Sequence, residues 1–337
     1  MHIEEAIAGF FPNNEISGYQ PYGSGHIHRT YLLWTHDGNS QYILQEINRN
    51  IFPEVKSLQD NISRVTNHLK KVNKNKNDSH QTYSGFTIPS AAHAYEGGRA
   101  LGKFLGDLDG FPVDSISITL PGFHDLGKRL EQFEKALQSD SASRISEIKN
   151  EVGFVRQRAE KLLQLFSAET TNSLPRRITH NDPKFNNILF DPSGKSICII
   201  DLDTVMPGFV FHDFGDAIRT GAASSIEDEP DTQQMFIDLE LFAAYAEGFL
   251  QQMRHIHTTN ELSTLSRAPQ YMTFIIGLRF LTDFINGDIY FKTAHPRHNL
   301  QRWYAQKALL LSMEKSEQKM AEIIQQIINQ QPRKNEE

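Results

Sequence analysis

The sequence predicts an α+β protein of two unequal lobes: a small β-rich lobe at the N-terminus and a larger, mostly helical lobe with a β hairpin in its middle. Three observations carry this. Residues 19–34 and 41–47 are rich in aromatic and β-branched side chains. From about residue 91 onward, apolar residues recur at helical spacing. One compact group of short apolar runs, 177–179, 188–190 and 196–200, interrupts those helices.

Taken in order, 19–34 and 41–47 read as a hairpin turned by Asp37-Gly38-Asn39, its first strand interrupted by Gly23-Ser24-Gly25. A helix follows over 55–69, with Val55, Leu58, Ile62, Val65 and Leu69 on one face. The run KKVNKNKNDSHQTYSG that comes next has almost nothing to bury and reads as a solvated loop. Amphipathic stretches then cover 91–108, 123–138, 143–168, 232–256, 268–286 and 301–330. Within the β island, Asp191-Pro192-Ser193-Gly194 supplies the turn. These elements divide the chain into a small lobe, 1–90, and a helical lobe, 91–337, whose last residues, QQPRKNEE, are expected to fray.

Composition narrows the class of protein. The 337 residues carry a formal charge of −7, which argues against a general nucleic-acid binder with a basic footprint. The most apolar helical stretch, around 272–281, contains Arg279 and falls short of the ~18 apolar residues a membrane span needs. Glu4 and Glu5 stand where a secretory leader carries positive charge, and a lone Cys198 excludes an internal disulfide framework. The expectation is a cytoplasmic protein, monomer or weak dimer, whose partners are small molecules. Zinc is not expected: the chain has a single Cys, and the His255-x-His257 spacing falls in a segment that reads as exposed. Cys198, between β-branched neighbours, reads as inert core, and His28 as surface.

The chemistry concentrates between Thr179 and Arg219. Asp182 is followed by Lys184 and, five residues on, by Asn187; a short strand then leads to Asp201-Leu202-Asp203. Phosphoryl transfer needs a carboxylate to orient the attacking hydroxyl. It also needs oxygen ligands to hold Mg²⁺ on the phosphates, and a cation for the developing charge. The Asp-to-Asn step of five is that of the protein-kinase catalytic loop. A literal Asp213-Phe214-Gly215 follows, but Asp201 sits directly after the second hairpin strand and faces the loop. Asp201 is therefore the metal carboxylate, and Asp213 an N-cap or a structural hydrogen-bond acceptor for the catalytic loop.

Four blocks make the chain resemble the aminoglycoside/choline kinase-like phosphotransferases, and within them the bacterial N-acetylhexosamine 1-kinases. They are PYGSGHIHRTYLL (21–33), YILQEINRNIFP (42–53), THNDPKFNNILFD with IIDLDTVMPG and FGDAIRTGA (179–222), and GLRFLTDFINGDIYFKTAHPRHNLQRWYAQ (277–306). The resemblance implies a protein-kinase-like bilobal fold and ATP-dependent phosphorylation of the anomeric hydroxyl of N-acetylglucosamine or N-acetylgalactosamine. By it, Asp182 is the catalytic base, with Lys184 beside it as a cation for the phosphates, while Asn187 and Asp201 hold Mg²⁺. His26, Asp203, Arg279 and Tyr290 line the sugar pocket; Gly23, Ser24 and Gly25 cover the nucleotide; and Gln45 stands where a kinase strand usually carries Lys. Read without the resemblance, Arg279 is either a functional guanidinium that needs an acceptor or an ion-pair partner for Asp283 four residues on, Tyr290 is core, and the acidic run 227–231 is a solvated loop. Only 21 residues separate Leu69 from Ala91, too few for the further strands and hinge of a full kinase N-lobe, so that lobe reads as shortened. Two alternatives to a sugar 1-kinase follow. One is a degenerate kinase-like module that binds a sugar or a protein; the other is a kinase of another small alcohol or an aminoglycoside.

Overall fold

The N-terminal sheet has three strands where the sequence reads as two. β1 (Ile16–Pro21), β2 (Arg29–Thr35) and β3 (Gln41–Glu46) pair antiparallel in that order. Residues 19–34 are therefore two strands, because the chain reverses between them and the Tyr22 N–H donates back to Thr30 O at 2.9 Å. The computed structural model describes residues 2–23, 27–73 and 89–330, so Ser24, Gly25, His26 and most of the Lys/Asn-rich run lie outside the described residues.

A helix not foreseen from sequence, α1 (Ile3–Phe10), precedes the sheet, and Glu4 accepts from the Tyr19 hydroxyl at 2.6 Å. The turn at 37–39 forms as its residues demand: Gly38 takes φ +69° and Asp37 accepts from the Asn39 N–H at 3.1 Å. His28 is buried rather than surface, since its Nδ1 accepts from Asn48 N–H at 3.0 Å and its ring lies 5.3 Å from that of Phe52. With Leu33, Phe52 supplies the buried apolar side chains of this compact unit, Met1–Lys56, among the described residues.

The second compact unit, Ser57–Glu337, takes in nearly all of α2 (Val55–Val72). It continues with α3 (Ala91–Asp107), α4 (Leu126–Ser139), α5 (Lys149–Leu165) and α6 (Ala168–Asn172). After the β island come α7 (Val210–Gly221), α8 (Leu239–Met253), α9 (Thr259–Thr264) and α10 (Ala268–Ile285). The predicted stretch 301–330 is two helices, α11 (His298–Lys315) and α12 (Glu317–Gln330). They part at Ser316, whose N–H turns back to Ser312 O and Met313 O. α10 is buried along almost its whole length, Phe274, Leu278, Leu281 and Phe284 among its buried side chains, and packs on α4, α7 and α11. α3 and α8 approach until backbones touch. A Cβ on Gly98 would stand 2.0 Å from Tyr245 O, and one on Gly248 2.1 Å from Tyr95 O. Among the described residues, no helix is long and apolar enough to cross a membrane.

The β island forms two ribbons. β4 (Arg177–Thr179) pairs with β7 (Met206–Gly208), and β5 (Ile188–Phe190) with β6 (Ser196–Ile199), all antiparallel. Cys198 is not core: it lies on the exposed face of β6. His257 departs the other way, being 4% exposed and held neutral by burial, which lowers its pKa to about 4.

Candidate active site

The loop between β4 and β5 is built by its own side chains before any ligand is considered. Asn181 takes a left-handed conformation (φ +65°), which an Asn tolerates better than most residues. Its amide Nδ2 reaches Thr179 O, Thr204 O and Met206 O at 3.0–3.2 Å. Asp213, fully buried in the first turns of α7, accepts the His180 and Asn181 N–H groups, each at 2.7 Å. Burial raises the Asp213 carboxyl, and those two donors pull it back toward ionisation. Of the two roles open from sequence, loop acceptor is thus the one observed; the N-cap of α7 is Phe209. Thr204 Oγ1 donates to His180 O at 2.7 Å, and the Nε2–H of His124 donates to Asn181 O, also at 2.7 Å.

His180 completes the frame. Its Nε2 bonds to Ile200 O at 3.0 Å, so that nitrogen carries the proton and Nδ1 accepts from the Asp182 N–H at 3.3 Å. Burial keeps the ring neutral, lowering its pKa to about 4. Asp182 O in turn accepts from Asn187 Nδ2 at 2.9 Å and from Lys184 N–H at 2.9 Å. The backbone of Asp182 is therefore immobilised, leaving its carboxylate to the Lys184 ammonium, 3.2 Å away.

Charge on these groups follows from burial and neighbours. Burial raises the Asp182 carboxyl, Asp216 and Asp201 add to the rise, and Lys184 opposes it. For Lys184, burial works against the charge, but Asp182, Glu227 and Asp216 outweigh it and hold the ammonium above its ordinary value. With Nδ2 committed to Asp182 O, Asn187 keeps Oδ1 as an acceptor with no hydrogen bond among the described residues. The Ile200 N–H donates to Asn187 O at 2.9 Å, which brings Asp201 to the same end of the hairpin. Asp201 is exposed and left-handed (φ +65°), where the strand breaks, and the buried Asp203 follows in the next turn. Asn187 Oδ1 and the Asp201 carboxylate are hard oxygen donors, a set that fits Mg²⁺ with water completing its octahedron.

On the flank of α10, Arg279 and Tyr290 meet: Arg279 Nη2 donates to the Tyr290 hydroxyl at 3.2 Å, and the guanidinium stacks over Phe123, Tyr290 and Phe291. The Arg279–Asp283 ion pair does not form. Asp283 instead accepts three successive N–H groups, from Ile289, Tyr290 and Phe291, at 2.8–3.0 Å, together with Asn299 Nδ2 at 2.9 Å. Tyr290 is accordingly a presented side chain, 37% exposed, and not core.

The structure thus brings Asp182, Lys184, Asn187 and Asp201 into one electrostatic group, with Asp203 a turn away from Asp201. In the smaller unit, Gly23 takes φ +79° and Gln45 pairs with Thr30 across the sheet with its side chain exposed. Ser24, Gly25 and His26 lie outside the described residues.

Sequence reasoning missed a buried charge network on α7. Arg219 is fully buried, donating to Asp216 at 2.8 Å and to Glu227 at 2.5 Å. Glu227 and Asp216 both act on Lys184, so the run 227–231 is wired into the site at its first residue and is not a solvated loop throughout. The available signal was Asp216-x-x-Arg219 on a helix whose other residues are mostly apolar. Also missed were Phe123, His124 and Arg129, which lie more than fifty residues from the catalytic loop in sequence.

The sequence profile of the APH phosphotransferase enzyme family matches residues 78–252, slightly more than half of the chain. Among solved structures, choline kinase from Cryptosporidium parvum superposes with a TM-score of 0.57 at 15% identity, covering 96% of this chain and 97% of that one. Plasmodium vivax ethanolamine kinase gives 0.56 at 13% identity over 90% and 86%. The GDP complex of aminoglycoside 2′-phosphotransferase-IIIa gives 0.56 at 12% over 91% and 98%. The three show that the fold, a small sheet followed by a larger helical part, is kinase-like.

Proposed function

Because the chain belongs to the APH phosphotransferase enzyme family, we propose that it is an ATP-dependent kinase acting on the anomeric hydroxyl of an N-acetylhexosamine. The observation that carries this is the immobilised Asp182, its carboxylate free of backbone donors and paired with Lys184, beside the oxygen donors of Asn187 and Asp201. Asp182 accepts the proton of the attacking hydroxyl; a carboxylate raised by burial is a better base than one in water. Lys184 stands ready to offset negative charge as it moves onto the transferred group. Mg²⁺ held by Asn187 and Asp201 would neutralise the phosphates of the nucleotide. Gly23, Ser24, Gly25 and Gln45 are the nucleotide-side residues of this reading, and the GDP named with one fold neighbour supports a nucleotide as co-substrate.

Arg279, Tyr290 and Asp203, with His26, are the sugar-side residues. Support comes from Arg279, which has no carboxylate partner among the described residues, and from the Asp283 clasp that presents Tyr290. The test is ATP-dependent phosphate transfer to a panel of N-acetylhexosamines, hexoses, choline and kanamycin, with Asp182→Asn alongside. The wild type is expected to form the sugar 1-phosphate. The variant is expected to lose roughly 10²–10⁴-fold in kcat while still binding sugar. A wild type inert on every acceptor, or an unaffected variant, sinks the reading; binding of sugar without turnover is the outcome that the degenerate-module alternative requires.

A further inference from the structure

Beside Lys184 lies a set of charges whose members come from two further parts of the chain. The residue after Lys184, Phe185, donates its N–H to Thr220 Oγ1 at 3.0 Å, which fastens the loop to the last turn of α7. One turn earlier on that helix, Asp216 accepts from Arg219 Nε at 2.8 Å, both side chains being fully buried. The second Asp216 oxygen and Arg219 Nη2 are buried too, with no hydrogen-bond partner among the described residues. Glu227 closes the set from a loop, its carboxylate accepting from Arg219 Nη1 at 2.5 Å. That loop is held in turn by α11. Gln306 Nε2 donates to Glu227 O at 3.3 Å, Gln301 Nε2 to Asp228 O, and His298 Nε2–H to the Asp228 carboxylate at 2.9 Å.

Three carboxylates, Asp182, Asp216 and Glu227, thus share two cations, Lys184 and Arg219. Inside a protein, where the dielectric is low, an ammonium paired with Asp182 alone would tie up the very carboxylate that an attacking hydroxyl needs. Two further carboxylates divide that attraction, and Arg219 keeps them from being buried without a partner.

We propose that Glu227 is a positioning residue for Lys184. With Arg219 and Asp216 it supplies the ammonium with a second set of counter-charges, so that Asp182 is released to the acceptor hydroxyl while Lys184 stays in place for the transferred phosphoryl group. The proposal rests on the kinase reading above and extends it to a residue that acts through Lys184 alone.

The test is a double-mutant cycle in the full chain, Glu227→Gln and Lys184→Met singly and together, with ATP, Mg²⁺ and the best acceptor of the panel above. The glutamine keeps an oxygen for Arg219 Nη1 and removes only the charge. Glu227→Gln is expected to lower kcat about tenfold with acceptor KM nearly unchanged, and to have no further effect in the Lys184→Met background. Glu227→Asp should recover part of the loss. Gln301→Ala loosens the loop but leaves Arg219 both its carboxylates. It is expected to lower kcat about two- to fivefold, again only when Lys184 is present, and it decides the matter if melting temperatures show Glu227→Gln unfolded. Calorimetry gives a readout apart from turnover: Glu227→Gln should weaken binding of the β,γ-imido analogue of ATP about threefold or more and leave ADP unaffected. An active wild type whose Glu227→Gln loss persists undiminished in Lys184→Met overturns the assignment and leaves the kinase reading standing. A wild type inert on every acceptor sinks the kinase reading. The assignment then survives if the analogue alone binds more weakly to Glu227→Gln, and fails if both nucleotides or neither respond.

Discussion

Asp182 is held in place largely by residues outside the proposed catalytic group. Its peptide is held by His180 and Asn187, and the loop that carries it by Asp213, Thr204 and His124. Because burial raises its carboxyl to about 7, kcat/KM should climb with pH through about 7 and not through the ordinary carboxylate range near 4. A pH–rate profile checks this; an acid limb near 4 overturns it. Stability has its own acid limit. Burial lowers His180 to about 4 and His124 to about 3, while an unfolded histidine titrates near ~6.5. As pH falls below ~6.5 the unfolded chain takes up protons first, so stability is lost from there down to about 4 through His180 and to about 3 through His124, and is insensitive to these rings above ~6.5. Melting temperature against pH reads it directly. Asp283 makes a third case. In Asp283→Asn an amide nitrogen faces N–H donors of residues 289–291, so the loop loosens, and the expected result is a sugar KM raised about tenfold with kcat changed less. At this scale the sequence exposed Asp182, Asn187 and Asp201, because their spacing lies within one local hairpin. The residues that hold them were hidden: a buried Asp or His is distinguished by its partners and not by its neighbours in the chain.

Elements were legible where their pattern is local and blurred where packing decides. The single helical stretch 301–330 is continuous in pattern, yet it breaks at Ser316 so that α11 and α12 each bury their own apolar face. Residues 19–34 read as one strand because both halves are rich in β-formers, and only the pairing of β1 with β2 reveals the reversal. α1 is too short to show a helical period against its background. The α3–α8 contact offers a sharp test. Gly248→Ala would place a Cβ 2.1 Å from Tyr95 O, a clash with backbone that cannot move aside, and should cost ~1–3 kcal/mol or more. Gly9→Ala on α1 meets nothing within 4 Å and should be neutral or stabilise by up to ~1 kcal/mol. Denaturant midpoints of the two variants compare them; equal midpoints contradict the packing argument.

At the scale of the whole molecule, the two compact units are unequally provided with core. In Met1–Lys56 the fully buried apolar side chains among the described residues are Leu33 and Phe52, whereas Ser57–Glu337 buries a continuous core running through Phe214, Phe249, Leu278 and Trp303. Hydrogen exchange should therefore find the amides of β1–β3 opening well before those of α8 and α10, and comparable protection in both would refute it. The sequence by itself determined the α+β class, the small sheet before a helical body, and the order Asp182, Lys184, Asn187, Asp201 around one hairpin. Each of these is written in short-range periodicity, turn residues and spacing. Tertiary structure alone decided what surrounds that hairpin: Asp213 under the loop, Arg219 between Asp216 and Glu227, and Asp283 clasping the Tyr290 loop. The physical reason is that charge inside a protein is tolerated only in the company of specific partners, and here those partners arrive from helices distant in the chain.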